Sequence, residues 1–309
     1  MPLAERLGAA LLWSGAASVP VGAAFRSPVP MRPVFIVGSG RSGSTLVRRL
    51  LVDTRQIHIP PESYVLGPVI RSFATWRYFP WASVVRRVTE TFERYPEFHH
   101  FEVGLDPIRR EQAAAHPESR SLAALIDSIY RAHAALTGAP SRWGDKTPLN
   151  VRFLPELHRV FPDARFVHML RDGCDAVASF LEMGRYDSLR VPAERWRDSV
   201  GAVRTFERRH PGAVIEVRYE VLVADPETVV RKLCHALLID FDPAVLGPAS
   251  DPAALGDAAV LAHHRRALGS VDAESLGRGR SRFDSAARAE LQRLIGPTLA
   301  ANGYPPADG

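Results

Sequence analysis

One short segment constrains the fold of this chain more than any other. It is Pro33-Val34-Phe35-Ile36-Val37, followed at once by Gly38-Ser39-Gly40-Arg41-Ser42-Gly43-Ser44-Thr45. A continuous apolar run, β-branched and ending in glycine, reads as a strand buried on both faces, as strands of parallel sheets are. After the glycine-rich turn, Leu46, Val47, Leu50 and Leu51 recur at the spacing of one helix face, a pattern that turns Arg48 and Arg49 away from it. Strand, glycine turn and helix form the opening unit of an α/β domain.

The parallel partners that such a strand needs lie downstream. Residues 142–146, Arg165–Leu170 and Val214–Arg218 read as strands, and helical patterns fall at about 150–160, 172–184, 192–210, 226–239 and 285–301. Residues 63–138 lack a convincing strand and read as several helices, the clearest at 120–137 with Leu122, Leu125, Ile126 and Ile129 on one face. The expected architecture is α/β: a P-loop-type parallel sheet covered by helices on both faces, with a helical insertion at about 60–140. The expected boundaries are an N-terminal arm or helix over 1–32, a single domain over 33–303 and a tail over 304–309.

Composition narrows the partners. At 46% hydrophobic the chain is neither disordered nor fibrous, and its 309 residues suit one large α/β domain. The net charge of +5 suits an anionic ligand, but no block of basic residues and no basic stripe interleaved with aromatics occurs, so nucleic acid is not expected. Lysine occurs only at Lys146 and Lys232, so nearly all of the 39 basic residues are arginine. Cys174 and Cys234 form no CxxC or zinc spacing, and no histidine pattern suggests a metal site. The uncharged stretch between Arg6 and Arg26 resembles a poor signal peptide, broken by Ser14, Gly15, Ser18 and Pro20. It is read as a helix or arm on a cytoplasmic protein, with peripheral membrane association through it left open.

The loop from Gly38 to Thr45 matches G-x-x-x-x-G-K-[ST] except that Ser44 stands in place of the lysine. Glycines let successive N–H groups turn inward as an anion nest, and the helix that follows adds the positive end of its dipole. Without the lysine a triphosphate loses its chief cation, whereas Arg41 offers a planar, permanently charged fork to a different oxyanion.

Strand, R-S-G-[ST]-T and a basic helix resemble the 5′-phosphosulfate loop of sulfotransferases that use 3′-phosphoadenosine 5′-phosphosulfate, in particular the bacterial and protein-tyrosine branch. A second motif, Arg171-Asp172-Gly173-Cys174-Asp175-Ala176-Val177-Ala178-Ser179, leaves the strand at 165–170 and is similar to that family's 3′-phosphate motif, R-D-x-x-D-x-x-x-S. The resemblance implies a cofactor grip by Gly40, Arg41, Ser42, Gly43, Ser44 and Thr45 at the 5′ end, and by Arg171 and Ser179 at the 3′-phosphate. Three further matches carry it over roughly residues 33–290. Gly144-Asp145-Lys146-Thr147-Pro148 resembles G-[DE]-K-[ST]-P, and the segment from Arg218 and Tyr219 to Pro226 resembles R-Y-E-D-L-v-x-x-P, with Tyr219 near the adenine. Ser275-Leu276-Gly277-Arg278-Gly279-Arg280 resembles S-[IL]-G-R-W and would bring Ser275, Gly277 and Arg278 to the cofactor, but Gly279 replaces the common tryptophan.

Sulfuryl transfer needs positioning, charge stabilisation and a base. The resemblance points to Glu62, in Ile59-Pro60-Pro61-Glu62-Ser63-Tyr64, as that base, and to Lys146 and Arg41 as the cations on the transferring group. Glu62 also reads as a glutamate placed at a helix start for dipole reasons. His99 and His100 could line an acceptor pocket or supply another base, although two histidines in a helical loop are more often surface residues. The expected activity is transfer to a hydroxyl of a carbohydrate, lipid, peptide or small-molecule acceptor. A P-loop kinase or hydrolase and a non-catalytic adenosine-nucleotide-binding module are the alternatives. Neither the fold nor the spacing names the acceptor.

Overall fold

The computed structural model describes residues 22–184, 186–251, 268, 269, 271 and 276–308. Expectations about residues 1–21, about 252–267 and about Ser275 lie outside the described residues. Four strands, β1 (Val34–Gly38), β2 (Gly144–Lys146), β3 (Arg165–Leu170) and β4 (Val214–Arg218), form one sheet in the order β2-β1-β3-β4. Every pairing is parallel: Ile36 lies opposite Lys146, Gly38 opposite Met169, and Leu170 opposite Arg218. Twelve helices accompany it among the described residues. They are α1 (Ser44–Asp53), α2 (Leu66–Trp76), α3 (Trp81–Arg94), α4 (Asp106–Ala113), α5 (Leu122–Leu136), α6 (Leu154–Val160), α7 (Gly173–Leu181), α8 (Arg190–Arg209), α9 (Tyr219–Ala224), α10 (Pro226–Leu237), α11 (Arg278–Arg282) and α12 (Ser285–Ala301).

The strand alternation explains the layers. Phe35 and Val37 point into a cluster built with α2, α3 and α5, while Val34 and Ile36 point into one built with α1 and α10. Phe35 stacks on Phe166 of β3 with ring centroids 5.5 Å apart. Since both faces are covered, all five residues of β1 are buried, which is why its sequence is uninterrupted by polar residues. The insertion shares the core of the sheet: Tyr130 of α5 stacks on Trp143 just before β2, at 4.2 Å. A third cluster packs α7, α8 and α12 around Trp196 and Ile295.

Four details correct or add to the sequence reading. The strand read over 142–146 begins only at Gly144, because the carbonyl of Arg142 is already used by the N–H of His58, at 2.8 Å. Arg48 and Arg49, expected to face water, are completely buried. Arg48 Nε donates to the Ile59 carbonyl at 2.9 Å, and Arg49 reaches the carbonyls of Val245, Gly247 and Gly269. Each guanidinium caps backbone that would otherwise be left unsatisfied in the interior. The segment before β1 is extended where it is described: Ala24 pairs with Ser121, and Phe25 is buried beneath Arg77 and Arg159. Residues 304–307, read as a tail, pack against the body, with Tyr304 and Ala307 buried and Ala307 N donating to Gln292 at 2.8 Å.

Candidate active site

In a parallel sheet the carboxyl ends of all strands open on one edge, where ligand-binding groups collect. Each strand of this sheet delivers one motif there. β1 ends in the glycine loop, β2 in Lys146, β3 runs into Arg171 and β4 into Tyr219.

The loop has the backbone of an anion nest. Gly40, Arg41 and Gly43 have φ of 83, 56 and 90°, left-handed values of the kind found where loop N–H groups form an anion nest. Glycine is required at 43 for a second reason, since a Cβ there would lie 2.5 Å from Cδ2 of Tyr219. The hydroxyls of Ser39 and Ser42 meet at 2.9 Å and Ser39 bonds the Gly40 carbonyl at 2.8 Å, which closes the loop from within. Ser44 opens α1 and is buried, and Thr45 follows it half-buried.

Arg41 crosses to the second motif. Its Nε donates to Ser179 Oγ at 3.1 Å, and Arg171 Nη1 donates to the Arg41 carbonyl at 3.2 Å. The Arg171 guanidinium lies 4.6 Å from the Tyr219 ring centroid and 3.7 Å from Asp175. Burial and, secondly, the charge of Arg171 hold the Arg41 pKa below its ordinary value. A guanidinium whose charge is disfavoured by burial and by a neighbouring cation is what an anion relieves. Asp172 caps α7, accepting from Cys174 N at 2.8 Å and from Asp175 N at 3.3 Å.

Glu62 lies near enough to the loop for its charge to act on Arg41. Its carboxylate takes a hydrogen bond from the Lys146 ammonium and another from the Tyr64 hydroxyl. Lys146 is fully buried and Glu62 is 15% exposed, so solvent reaches the pair through the glutamate. The neighbouring Asp145 turns inward and is held by Tyr130 Oη at 2.7 Å and Asn150 Nδ2 at 2.8 Å, which fixes the strand end that presents Lys146.

The structure therefore brings together the loop, Glu62, Lys146, Arg171, Ser179 and Tyr219. Gly277 lies at the start of α11, and its N–H donates to Asp175 Oδ2 at 2.9 Å. Arg278 opens α11, but its side chain lies outside the described residues, as does Ser275. Gly279, the departure from the family pattern, has a steric cause here. Its N–H donates to Asp175 Oδ1 at 2.7 Å, and a Cβ would come within 2.5 Å of Asp175 N, so no larger residue fits. His99 and His100 are exposed on the 3-10 turn at Pro96–Phe101, with His99 lining a shallow recess with Glu93 and Glu102.

Four neighbours of the site were not singled out from sequence. Asp175 ties Arg171 to the Gly277–Gly279 turn, and the second acid of the R-D-x-x-D motif was a signal for it. Glu220 accepts from Asp172 N at 2.7 Å and from the Tyr304 hydroxyl at 3.0 Å. Arg195 of α8 donates from Nε to the Ser39 carbonyl at 2.9 Å and lies over the Phe180 ring. For Arg195 and for Tyr64 no sequence signal existed. Among the described residues no group of three or more His, Cys, Asp and Glu side chains could hold a metal ion, and no helix is long and apolar enough to cross a membrane.

A parallel sheet with a glycine loop after its first strand, an arginine motif after its third and a lysine–glutamate pair at the end of its second has the architecture of the phosphate-loop class. The family model described as "Sulfotransferase family" matches residues 33–243. The chain belongs to the sulfotransferase family. It is 24% identical over 300 residues to Protein-tyrosine sulfotransferase 1 of Danio rerio, a match covering 88% of this chain and 72% of that protein. Its fold is similar to the sulfotransferase domain of the Synechococcus PCC 7002 olefin synthase, with TM-score 0.64, 21% identity and coverage of 94% of this chain and 99% of that domain. The sulfotransferase domain from the curacin biosynthetic pathway is also similar, with TM-score 0.57, 20% identity and coverage of 90% and 99%. The protein is thus a sulfotransferase, and the kinase and non-catalytic alternatives fall away.

Proposed function

We propose that the enzyme transfers a sulfuryl group from 3′-phosphoadenosine 5′-phosphosulfate to an acceptor hydroxyl of a carbohydrate, lipid, peptide or small molecule. The observation that carries this reading is the meeting of the two anion motifs: Arg41 bonded to Ser179, with Arg171 on the Arg41 carbonyl. A ligand with phosphate at both ends of a nucleoside fits two such motifs, whereas a loop without its lysine suits a nucleoside triphosphate poorly. The clustered guanidiniums and the nest at Gly40 and Gly43 fit that group, and Tyr219, stacked under Arg171, offers a ring face for the base.

In this reading the N–H groups of Gly40 to Thr45 hold the 5′-phosphosulfate, and Arg171 and Ser179 hold the 3′-phosphate. Gly277, at the start of α11, borders the nucleotide from the return segment. The donor supplies an electrophilic sulfur and a leaving 5′-phosphate. Glu62 accepts the proton of the acceptor hydroxyl as its oxygen bonds to sulfur. Lys146 hydrogen-bonds the bridging oxygen as the S–O bond breaks and the phosphate takes up the electron pair, and Arg41 stabilises charge on the sulfuryl oxygens.

The test is ligand stabilisation followed by transfer. 3′,5′-Diphosphoadenosine should raise the melting temperature and ATP with magnesium should not; the reverse would sink the donor assignment. Acceptors would then be screened by mass spectrometry for the gain of about 80 daltons that SO₃ adds when an acceptor takes the transferred group.

A further inference from the structure

The two oxygens of Glu62 are held by different elements. Oε1 faces Lys146 at the end of β2, and Oε2 faces the hydroxyl of Tyr64. Tyr64 reaches back to a residue two positions earlier because its backbone is left-handed, at φ 55°. That conformation is uncommon for a bulky residue and persists only where the surroundings enforce it. Its effect is to fold the phenol over the Glu62 carboxylate rather than let it follow the chain into α2.

We propose that Tyr64 is the positioning residue of the catalytic base: it keeps Glu62 aimed through Oε2 when Lys146 leaves Oε1 for the oxygen that departs from sulfur. The proposal rests on the reading of Glu62 as base given above. An ammonium that turns toward the leaving phosphate loosens its hold on Glu62 Oε1. A carboxylate that takes a proton on one oxygen needs the other fixed, as bases in nucleophile–base pairs are oriented by a third group. Tyr64 suits the task because it remains a donor. Its pKa is raised, first by burial and then by Glu62, so the phenol stays protonated at any working pH. The charged and titratable groups around the pair come from several elements. Glu62 is faced by Lys146, by Arg41 of the loop and by Asp145 of β2, and Tyr64 by Arg195 of α8 and by Glu97 of the 3-10 turn.

The test is Tyr64→Phe, which keeps the ring and removes only the donor. With an acceptor selected by the transfer screen, kcat should fall about tenfold while the KM for the donor is unchanged, since a hydrogen bond to a charged group is worth about that much. The acidic limb of the kcat profile should move to higher pH, because a carboxylate that has lost a donor is protonated more readily. Calorimetric affinity for 3′,5′-diphosphoadenosine should equal that of the native protein, and Tyr64→Phe added to Glu62→Gln should cause no further loss. An unchanged kcat and pH profile, or an equal loss in the Glu62→Gln background, would overturn the role of Tyr64 alone. Full activity of Glu62→Gln itself would overturn the base assignment, and Tyr64 with it.

Discussion

Lys146 and Glu62 stand 84 residues apart in the chain and meet as an ion pair in which the ammonium is wholly buried and the carboxylate is 15% exposed. The arrangement gives the lysine a counter-charge until an anionic ligand offers another. Removing one partner strands a buried charge, so Glu62→Gln should lower unfolding free energy by roughly 1–3 kcal/mol. Adding Lys146→Met should recover part of that loss. Urea unfolding of the single and double variants measures both, and additive losses would mean that the pair is not coupled.

Turnover should separate from binding at this pair. Glu62→Gln and Lys146→Ala should each reduce kcat by about two orders of magnitude or more, with little change in the Kd for 3′,5′-diphosphoadenosine. Near-native turnover in either variant removes that residue from the chemistry.

Arg171 should show the opposite pattern. Its guanidinium lies between the Arg41 carbonyl and the Tyr219 ring, where it can grip a phosphate. Arg171→Ala should weaken 3′,5′-diphosphoadenosine about 10- to 100-fold, the worth of one or two charge-assisted hydrogen bonds. An unchanged calorimetric affinity would refute its phosphate role.

The Gly277–Gly279 turn makes a steric prediction. A methyl group at residue 279 would press into the backbone at Cys174 and Asp175. Gly279→Ala should therefore cost about 1–3 kcal/mol of stability, the usual penalty of overpacking. A melting temperature equal to that of the native protein would show that the turn can move away.

A pH effect should come from the buried pair His58 and His133, whose rings share one proton between Nε2 and Nδ1 at 2.7 Å. Burial first, and then His133 and Arg48, lower His58 to about 3; burial and Arg48 lower His133 to about 4. Both rings are neutral in the folded chain but bind protons in the unfolded chain below their ordinary pKa of 6.5. The stability they confer is therefore present above pH 6.5 and is lost as the pH falls toward 4 and then 3, by about 1.4 kcal/mol per pH unit for each ring. Urea midpoints recorded down this range should fall less steeply in His133→Asn; an equal slope would assign the acid sensitivity to other groups.

The strands and most helices were legible because hydrophobic period and glycine placement are local signals. Arg165–Leu170 and Val214–Arg218 coincide with observed strands. The loop and the arginine motif were legible because their chemistry is compressed into a few consecutive residues. What escaped was set by tertiary contact. Arg48 and Arg49 read as solvent-facing on one helix, yet they bond carbonyls that the chain supplies about ten and some two hundred residues later, as in Arg48 to Ile59 and Arg49 to Gly247. Tyr64 and Arg195 likewise depend on a backbone angle and a helix packing that no local spacing encodes. The family model ends at residue 243, and beyond it the Gly279 departure follows from the close approach of α11 to α7.

Glu220 also bears on how the chain is made. One of its oxygens receives the Asp172 N–H and the other the Tyr304 hydroxyl, while Arg280 joins the Asp172 carboxylate to the Pro305 carbonyl at 2.7 Å. The turn that leads out of β3 is thus completed by residues synthesised more than a hundred positions later. During synthesis, β1 to β4 and the glycine loop, all within residues 34–218, leave the ribosome before the residues that supply these last supports. The nascent chain acquires its finished corner only when the segment after α12 has cleared the exit tunnel.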